Sequence, residues 1–495
     1  MTDKIVTSTF SKGGIHPREG KEFSEKCPIE VLPNPSELRI PFVQHIGAPA
    51  KVCVEARREL VYGQLVAEAS GYVSVPVAAP LPGTVKRIGS VTLPNGRRVP
   101  AAIESVQADG FDPQTLLDRM KEPGEFVLSD FDSELIRERI RMAGLVGQGG
   151  AAFPIHVKLM PNDEKPIDTL LVNGCECEPY LTADHRAMLE MTDSVIAGAR
   201  LAAKACHAKK IVICIEANKP DAIEKISAAI EKLKAQKCAN AGKTAEKAAG
   251  KTAEKAAGNA AEKAAGNAAE KEPEIRVMRM KTKYPQGGEK QLIYAALGRK
   301  VPLGKLPIEV GATVVNVGST VSIAMAVLHE LPLTHRIVTV TGGGIARPAN
   351  IFVPIGTPIR VLVEHCGGLK ENARRVLLGG PMMGFAVGSL EIPVTKGTSG
   401  ITVLSSEETD RAKETNCIRC GRCVSACPMR LIPTRLMYAA RARNWDVFKE
   451  YHPMACIECG CCSFSCPAKI PIIQLIRVGK MELARQRQAE GAKEK

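Results

Sequence analysis

Apolar and polar positions change rhythm several times along the chain. Between Val31 and Ile103, short apolar runs alternate with turn signals, as in VYGQLVAEASGYVSVPVAAPLPGTVKRI, and helical periodicity is absent. Val-rich runs of this length, punctuated by Gly and Pro, predict a small unit of short β-strands. From Asp132 to Met142 the apolar residues Leu135, Ile136, Ile140 and Met142 follow early acids, and a Gly-rich run comes next; this is a helix and its stop signal. Strand-like DTLLVNG and KIVICIEA then flank the helical AMLEMTDSVIAGARLAAKA, and the pattern resumes with IRVMRM, QLIYAALG and TVVNVGSTVSIAMAVLHELP. Strands alternating with helices predict an α/β layer domain. HRIVTVTGGGIARPANIFVPIGTPIRVLVEHCGG returns to strands and Gly/Pro turns around one small helix.

Residues 239–272 break these rhythms with TAEKAAGK, TAEKAAGN and AAEKAAGN in tandem. The repeat fits neither a helical nor a heptad period, and each Gly weakens a helix by about 1 kcal/mol. A solvated insertion, helical and frayed or disordered, is expected there, without chemistry. The expected organisation is an arm at 1–30, a β module at 31–125, an α/β domain at 126–333 carrying the insertion, a β-rich module at 334–405, a cysteine-rich domain at 406–480 and a basic tail at 481–495.

Composition narrows the function. The chain has 495 residues and a formal charge of +14, room for several domains and too much core for wholesale disorder. No apolar run approaches the length of a spanning helix, and the N-terminus lacks the apolar core of a secretory signal, so a cytoplasmic or peripheral protein is expected. The basic excess is steepest from Arg411 to Lys495, where Lys and Arg outnumber Asp and Glu about two to one. Aromatics are only 4%, too sparse for stacking on single strands, and no nucleic-acid partner is expected. Nine of the 17 cysteines lie between Cys417 and Cys466. That crowding suits reduced thiols used as ligands better than a disulfide framework.

Those cysteines form two matched runs, Cys417-x2-Cys420-x2-Cys423-x3-Cys427-Pro428 and Cys456-x2-Cys459-x2-Cys462-x3-Cys466-Pro467. This is the spacing of bacterial two-cluster ferredoxins, in which three thiolates on one loop cap a cubane and the fourth reaches the other cubane. Zinc would favour two separated CxxC pairs. The expected ligand sets for two [4Fe–4S] clusters are Cys417, Cys420, Cys423 and Cys466, and Cys456, Cys459, Cys462 and Cys427. Cys461 is off register, and Cys27, Cys53, Cys206, Cys214, Cys238 and Cys366 read as ordinary small residues. Such clusters carry single electrons and leave open what feeds them.

Three further runs bear on the electron source. AGLVGQGGAAFPIHVKL gathers Gly144, Gly147, Gly149 and Gly150 behind a helix; LLVNGCECEPYLTADHR places Asn173, Glu176 and Glu178 after a strand; KYPQGGEKQLIYAALGRKVP offers Tyr284, Gly287, Gly288 and Glu289. Glycines let a backbone approach a flat or phosphorylated ligand, and carboxylates can accept from ribose hydroxyls. The spacing is not the G-x-G-x-x-G dinucleotide fingerprint, and each run alone reads equally as a turn or a solvated Glu.

Together these runs resemble the flavin-binding 51-kDa subunit of respiratory NADH dehydrogenase, and more closely the RnfC subunit of the Rnf electron-transport complex. KGGIHP, QHIGAPA, GQGGAAFP, NGCECEPY, KYPQGGEKQLIYA and the twin cysteine runs follow that family's order over nearly the whole chain. The resemblance implies a multidomain α/β and α+β fold: a barrel-sandwich β module of lipoyl-carrier type, a 51-kDa-type flavin/nucleotide domain, a β-grasp (SLBB-like) module and a two-cluster ferredoxin domain. The carrier Lys is missing from the AlaSerGlyTyr tip at 69–72, so scaffolding or subunit contact is expected of the β module. The resemblance also implies FMN, held non-covalently by Gly147, Gly149, Gly150, Lys158, Asn173, Glu176, Tyr284, Gly287, Asn316 and Ser319. It places NADH near Phe153, Glu178 and Glu289. No general acid or base is required. Cys175 and Gln148 stand where the respiratory type has Asp and Arg, and that type ends in one cluster motif instead of two. The implied role is a peripheral subunit on the cytoplasmic face of the cell membrane. It would exchange electrons between NADH, FMN and the clusters, and pass them to other subunits of an ion-translocating ferredoxin:NAD+ oxidoreductase, including an iron–sulfur, ferredoxin-accepting one. A cobalamin reductase, or an iron–sulfur relay without a nucleotide site, are the alternatives.

Overall fold

A computed structural model describes residues 7–251, 272–409 and 412–493; side chains are described to residue 236 within the helix Pro220–Lys251 and to residue 490 within Ile472–Lys493. Most of the 239–272 insertion, the Cys238 side chain and the end of the basic tail lie outside the described residues. Among the described residues no helix is long and apolar enough to cross a membrane.

The chain folds as the four units implied by the resemblance. Two small antiparallel sheets form the β module; one contains the long hairpin Gly83–Thr92/Arg98–Val106, the other the strands Lys51–Val52, Leu65–Glu68 and Val77–Ala78. Alternating Val and Ala residues fill the space between them, including Val66, Ala67, Val77, Val85 and Ala102. The α/β domain has a five-stranded parallel sheet in the order Thr7–Ser8, Glu274–Met280, Lys210–Glu216, Thr169–Gly174 and Ala312–Asn316. Its central strands carry continuous apolar runs, Leu170–Val172 and Ile211–Ile215, as sheets covered on both faces require. Helix Thr192–Ala205 crosses Val317–His329 so closely that a Cβ on Gly198 would stand 1.8 Å from the Thr320 carbonyl oxygen. Small residues make this approach feasible, and the helix pair anchors the domain's main core.

The six-stranded mixed sheet of the β-grasp module runs Phe385–Ala386, Ala373–Leu378, Gly400–Ser405, His335–Thr341, Ala349–Pro354 and Ile29–Val31. In the cysteine-rich domain, short helices surround Leu436, Met437, Phe448, Ile473 and Ile476. Its two halves repeat in backbone as well as in sequence. Left-handed Arg419, Gly421 and Arg430 in the first half answer to left-handed Glu458, Gly460 and Lys469 in the second.

Two placements differ from the linear reading. The arm contributes strands to two sheets: Thr7–Ser8 pairs with Arg279–Met280, and Ile29–Val31 pairs with Asn350–Phe352. Helix Pro113–Lys121, read with the β module, instead buries Leu117 in the α/β core. Neither strand is long enough to show an alternation, and a helix at a boundary carries no mark of the side it joins.

Candidate functional site

All five strands of the α/β sheet run parallel, so their C-terminal ends share one edge, and the crevice at that edge is the usual location of ligands in such sheets. Asn173 is the penultimate residue of its strand, Glu176 and Glu178 follow it, Tyr284 and Gly287 follow Met280, and Asn316 ends the strand at the sheet's far side. The Gly147–Phe153 loop closes the crevice. It folds on itself through Gly147 N–H donating to Phe153 O at 2.9 Å, and Gln148 N–H donates to Ser319 Oγ at 3.0 Å. Gly149 lies so near Asn316 that an added Cβ would stand 2.6 Å from Asn316 Nδ2, whereas above Gly150 nothing lies within 4 Å. Gly149 and Gly150 are exposed, which leaves bare backbone facing the crevice.

The polar groups are already bonded to one another. Lys158 Nζ meets Glu289 Oε1 at 2.5 Å, so the cation expected at the flavin and the acid expected at NADH form one ion pair. Asn173 Nδ2 donates to Gly287 O at 2.8 Å, tying two of the glycine and acid loops. Asn316 Oδ1 caps the helix Val317–His329 through Gly318 N–H at 2.8 Å, and its Nδ2 donates to Asp184 Oδ2 at 2.6 Å. The Glu176 carboxylate accepts from the N–H groups of Asp184 at 2.7 Å and His185 at 3.2 Å, the first turn of helix Ala183–Glu190. Burial raises Glu176 to about 7, against the pull of Lys21. Glu178 Oε1 accepts from Met382 N–H at 2.7 Å and Met383 N–H at 3.0 Å, across the boundary with the β-grasp module, while its buried Oε2 has no partner. Burial raises Glu178 and Asp184 as well.

Several participants carry no signal in the linear sequence. Arg336, on a β-grasp strand, is buried, lowered to about 10 by that burial, and bonds Gln148 through its side-chain oxygen and its carbonyl. Lys219 donates to Cys175 O at 2.7 Å and Lys21 to Glu176 O, also at 2.7 Å. A lysine in a polar arm or at a helix start reads as solvated; only the folded chain puts these two beneath the acidic loop.

The cysteine runs fold as two crossed sets. Cys427 lies with Cys456, Cys459 and Cys462 around an apolar cavity also lined by Leu436, Ile457, Ile473 and Ile476. Cys466 faces Cys417 and Cys423. Among the described residues no three His, Cys, Asp or Glu side chains are set to hold a single metal ion; the second set rings a space instead. The second run is packed against the flavin domain: Tyr284 O–H donates to Cys459 O at 2.8 Å, and Ile15, Tyr284, Ala426, Cys459 and Cys461 share one apolar cluster. In the first run Cys420 is exposed and Cys417 half-buried. A cleft of about 930 Å³ lies elsewhere, between the β module and the β-grasp module, and Arg39 and Glu391 pair on its wall at 2.8 Å.

A glycine-lined crevice on a parallel sheet, joined to a ferredoxin-like pair of cysteine loops, defines a modular flavin and iron–sulfur electron-transfer protein. The family models agree unit by unit: the RnfC barrel sandwich hybrid domain matches residues 9–110, the Nuo51 FMN-binding domain 140–325, the SLBB domain 337–386 and the 4Fe-4S dicluster domain 416–470. The chain is 40% identical over 488 residues to the C component of the proton-translocating ferredoxin:NAD(+) oxidoreductase complex of Clostridium ljungdahlii, covering 98% of this chain and 95% of that one. It is 39% identical to the Na(+)-translocating counterpart of Acetobacterium woodii, covering 98% and 99%. Against the C component of the ion-translocating oxidoreductase complex of Rhodobacter capsulatus the identity is 37%, covering 96% and 83%. The chain belongs to the RnfC family, the C components of ion-translocating ferredoxin:NAD+ oxidoreductase complexes.

Proposed function

We propose that this chain is the peripheral subunit, on the cytoplasmic face of the membrane, through which such a complex exchanges electrons with NAD(H). The observation that carries the reading is the seam at Tyr284: one loop supplies Tyr284 and Gly287 to the crevice and a hydroxyl to the backbone of Cys459. The donor set suits a flavin. Exposed Gly149 and Gly150 leave room for a flat ring, Gly147 and Gly287 keep the walls low, and Lys158 supplies a cation for a phosphate.

FMN would be held by Gly147, Gly149, Gly150, Lys158, Asn173, Glu176, Tyr284, Gly287, Asn316 and Ser319. When bound it supplies hydride acceptance and release of single electrons. The nucleotide would lie near Phe153, Glu178 and Glu289. Two [4Fe–4S] clusters would sit on Cys456, Cys459, Cys462 and Cys427, and on Cys417, Cys420, Cys423 and Cys466. The first of these, sealed against Tyr284, is the inner one; the second, with Cys420 exposed, is the outlet to another subunit, an iron–sulfur, ferredoxin-accepting one among the candidates. The relatives' names give either proton or sodium as the translocated ion.

Anaerobic addition of NADH to the purified chain, loaded with FMN and iron–sulfur clusters, tests the reading. The flavin band should bleach first and cluster absorbance should follow. An unchanged spectrum in fully loaded protein removes the NADH role.

A further inference from the structure

The acidic loop that follows Gly174 is an unlikely conformation held in place from outside. Glu176 and Tyr180, neither of them glycine, have φ of +45° and +72°. Left-handed residues of this kind cost about 1–3 kcal/mol each and persist where the surroundings enforce them. The enforcement comes from the N-terminal arm, more than 150 residues away in sequence. Tyr180 N–H donates to Glu19 O at 2.7 Å, and the Tyr180 ring lies flat against Phe23 with centroids 5.9 Å apart. Between them Gly20, also left-handed, lets the arm pass over that ring, since a Cβ there would stand 2.8 Å from it.

Lys21 supplies the centre of this grip. Its side chain is buried, and its three N–H donors are taken by three carbonyls of the same loop: Glu176 O at 2.7 Å, Glu178 O at 2.8 Å and Leu181 O at 2.5 Å. An ammonium removed from water is costly unless every donor is satisfied, and here satisfaction requires the loop to curl around it. No carboxylate among the described residues forms a direct ion pair with Lys21; burial lowers its pKa while the nearby Glu176 and Glu216 act to raise it, so the three carbonyls are what hold its head group in place.

We propose that Lys21 is the positioning residue of the nucleotide site: by holding three carbonyls of the 176–181 loop it fixes the backbone that presents Glu178. The inference rests on the NAD(H) reading of that site. It assigns to the arm a role in substrate binding, whereas a Lys in a polar, Gly- and Pro-rich segment reads as solvated.

The test uses the full-length chain loaded with FMN and clusters, with ADP-ribose as a redox-inert probe in titration calorimetry and NADH–ferricyanide kinetics beside it. Loss of a hydrogen bond to a charged group corresponds to about tenfold or more in affinity. Lys21→Met should therefore weaken ADP-ribose binding at least about tenfold and raise KM for NADH more than it lowers kcat. Lys21→Arg, which keeps charge and donors, should recover most of the loss. ADP-ribose affinity and KM within about twofold of the parent chain in Lys21→Met overturn the proposal, and so does Lys21→Arg binding as weakly as Lys21→Met. If Lys21→Met yields no flavin-loaded protein, Lys21→Arg decides alone: affinity within about threefold of the parent supports the proposal and a loss beyond tenfold overturns it. Failure of the parent chain to bind ADP-ribose and to be reduced by NADH removes the NAD(H) reading itself, a result distinct from a normal parent with an unaffected Lys21→Met.

Discussion

The two cysteine runs share their spacing, their left-handed residues and their following short helices, yet their surroundings are opposite. Around the second run, Gly460 lies under the Met382 backbone, where a Cβ would stand 2.8 Å from its carbonyl oxygen, and Tyr284 bonds Cys459. Glu458 is held by Arg477 at 3.0 Å and by Lys480, and Arg477 also covers the Phe385 ring and donates to Met383 O. Around the first run, the equivalent of Glu458 is exposed Arg419, next to Ile418, which is 68% exposed. Gly421, the equivalent of Gly460, has nothing within 4 Å of an added Cβ. A duplicated motif thus acquired two different surroundings without changing its cysteines: one copy packs against the flavin and β-grasp units, the other faces outward with a basic rim.

The largest test of that difference removes a ligand from either copy. In Cys459→Ala, NADH should no longer reduce the remaining cluster although dithionite still does, as read by EPR; in Cys420→Ala, the remaining cluster should still fill from NADH while delivery to a protein acceptor falls. NADH reducing the outer cluster of Cys459→Ala at the parent rate would reverse the order proposed above.

Next in size is Glu458→Gln, which leaves Arg477 and Lys480 without their partner. A loss of about 1–2 kcal/mol in thermal or denaturant unfolding is expected, with no counterpart for Arg419→Ala. The pH dependence has a definite sign. Burial alone would raise Glu458, but Lys480 and Arg477 outweigh it and hold the carboxyl below its usual range. Its stabilisation is then full above the unfolded value of about 4.3 and is lost as pH falls through the lower folded value. The parent chain should lose stability over that acid range by more than Glu458→Gln does.

Tyr284→Phe removes one neutral hydrogen bond at the seam and strands the Cys459 carbonyl. About 1 kcal/mol of stability and a slower NADH-driven reduction of the inner cluster are expected, by unfolding and stopped-flow absorbance. The smallest effect is Arg419→Glu on the outer rim. Stability should stay within about 0.5 kcal/mol, while the rate with ferricyanide, an anionic acceptor, should fall and become less sensitive to salt. Equal effects of Arg419→Glu and Glu458→Gln on stability would erase the contrast between the copies.

Sequence showed what was local. The cysteine runs could be read because cluster ligation is encoded by spacing over a few residues, and the fold class could be read because helical and strand periods alternate. Residues of the three glycine and acid runs come together at the C-terminal ends of the parallel strands. What each polar group bonds was not readable: Lys158 and Glu289 lie far apart in sequence yet pair, Glu176 spends its carboxylate on a helix start, and Arg336 reaches Gln148 from another domain. Nor was the difference between the two cysteine copies, since it lies wholly in what other segments bring to them.

The arm has a consequence for how the molecule is made. Its residues are made well before their partners: Thr7–Ser8 needs the strand at Arg279–Met280, Ile29–Val31 needs Asn350–Phe352, and Gly14 N–H donates to Ala426 O at 2.9 Å. Contacts spanning so much chain form slowly, because closing long loops must precede any reward. The arm therefore docks after the domains it joins have folded one by one. Until then the strand ends and the second cysteine loop lack the segment that packs on them in the folded chain, an interval in which a ligand could enter before the arm closes over them.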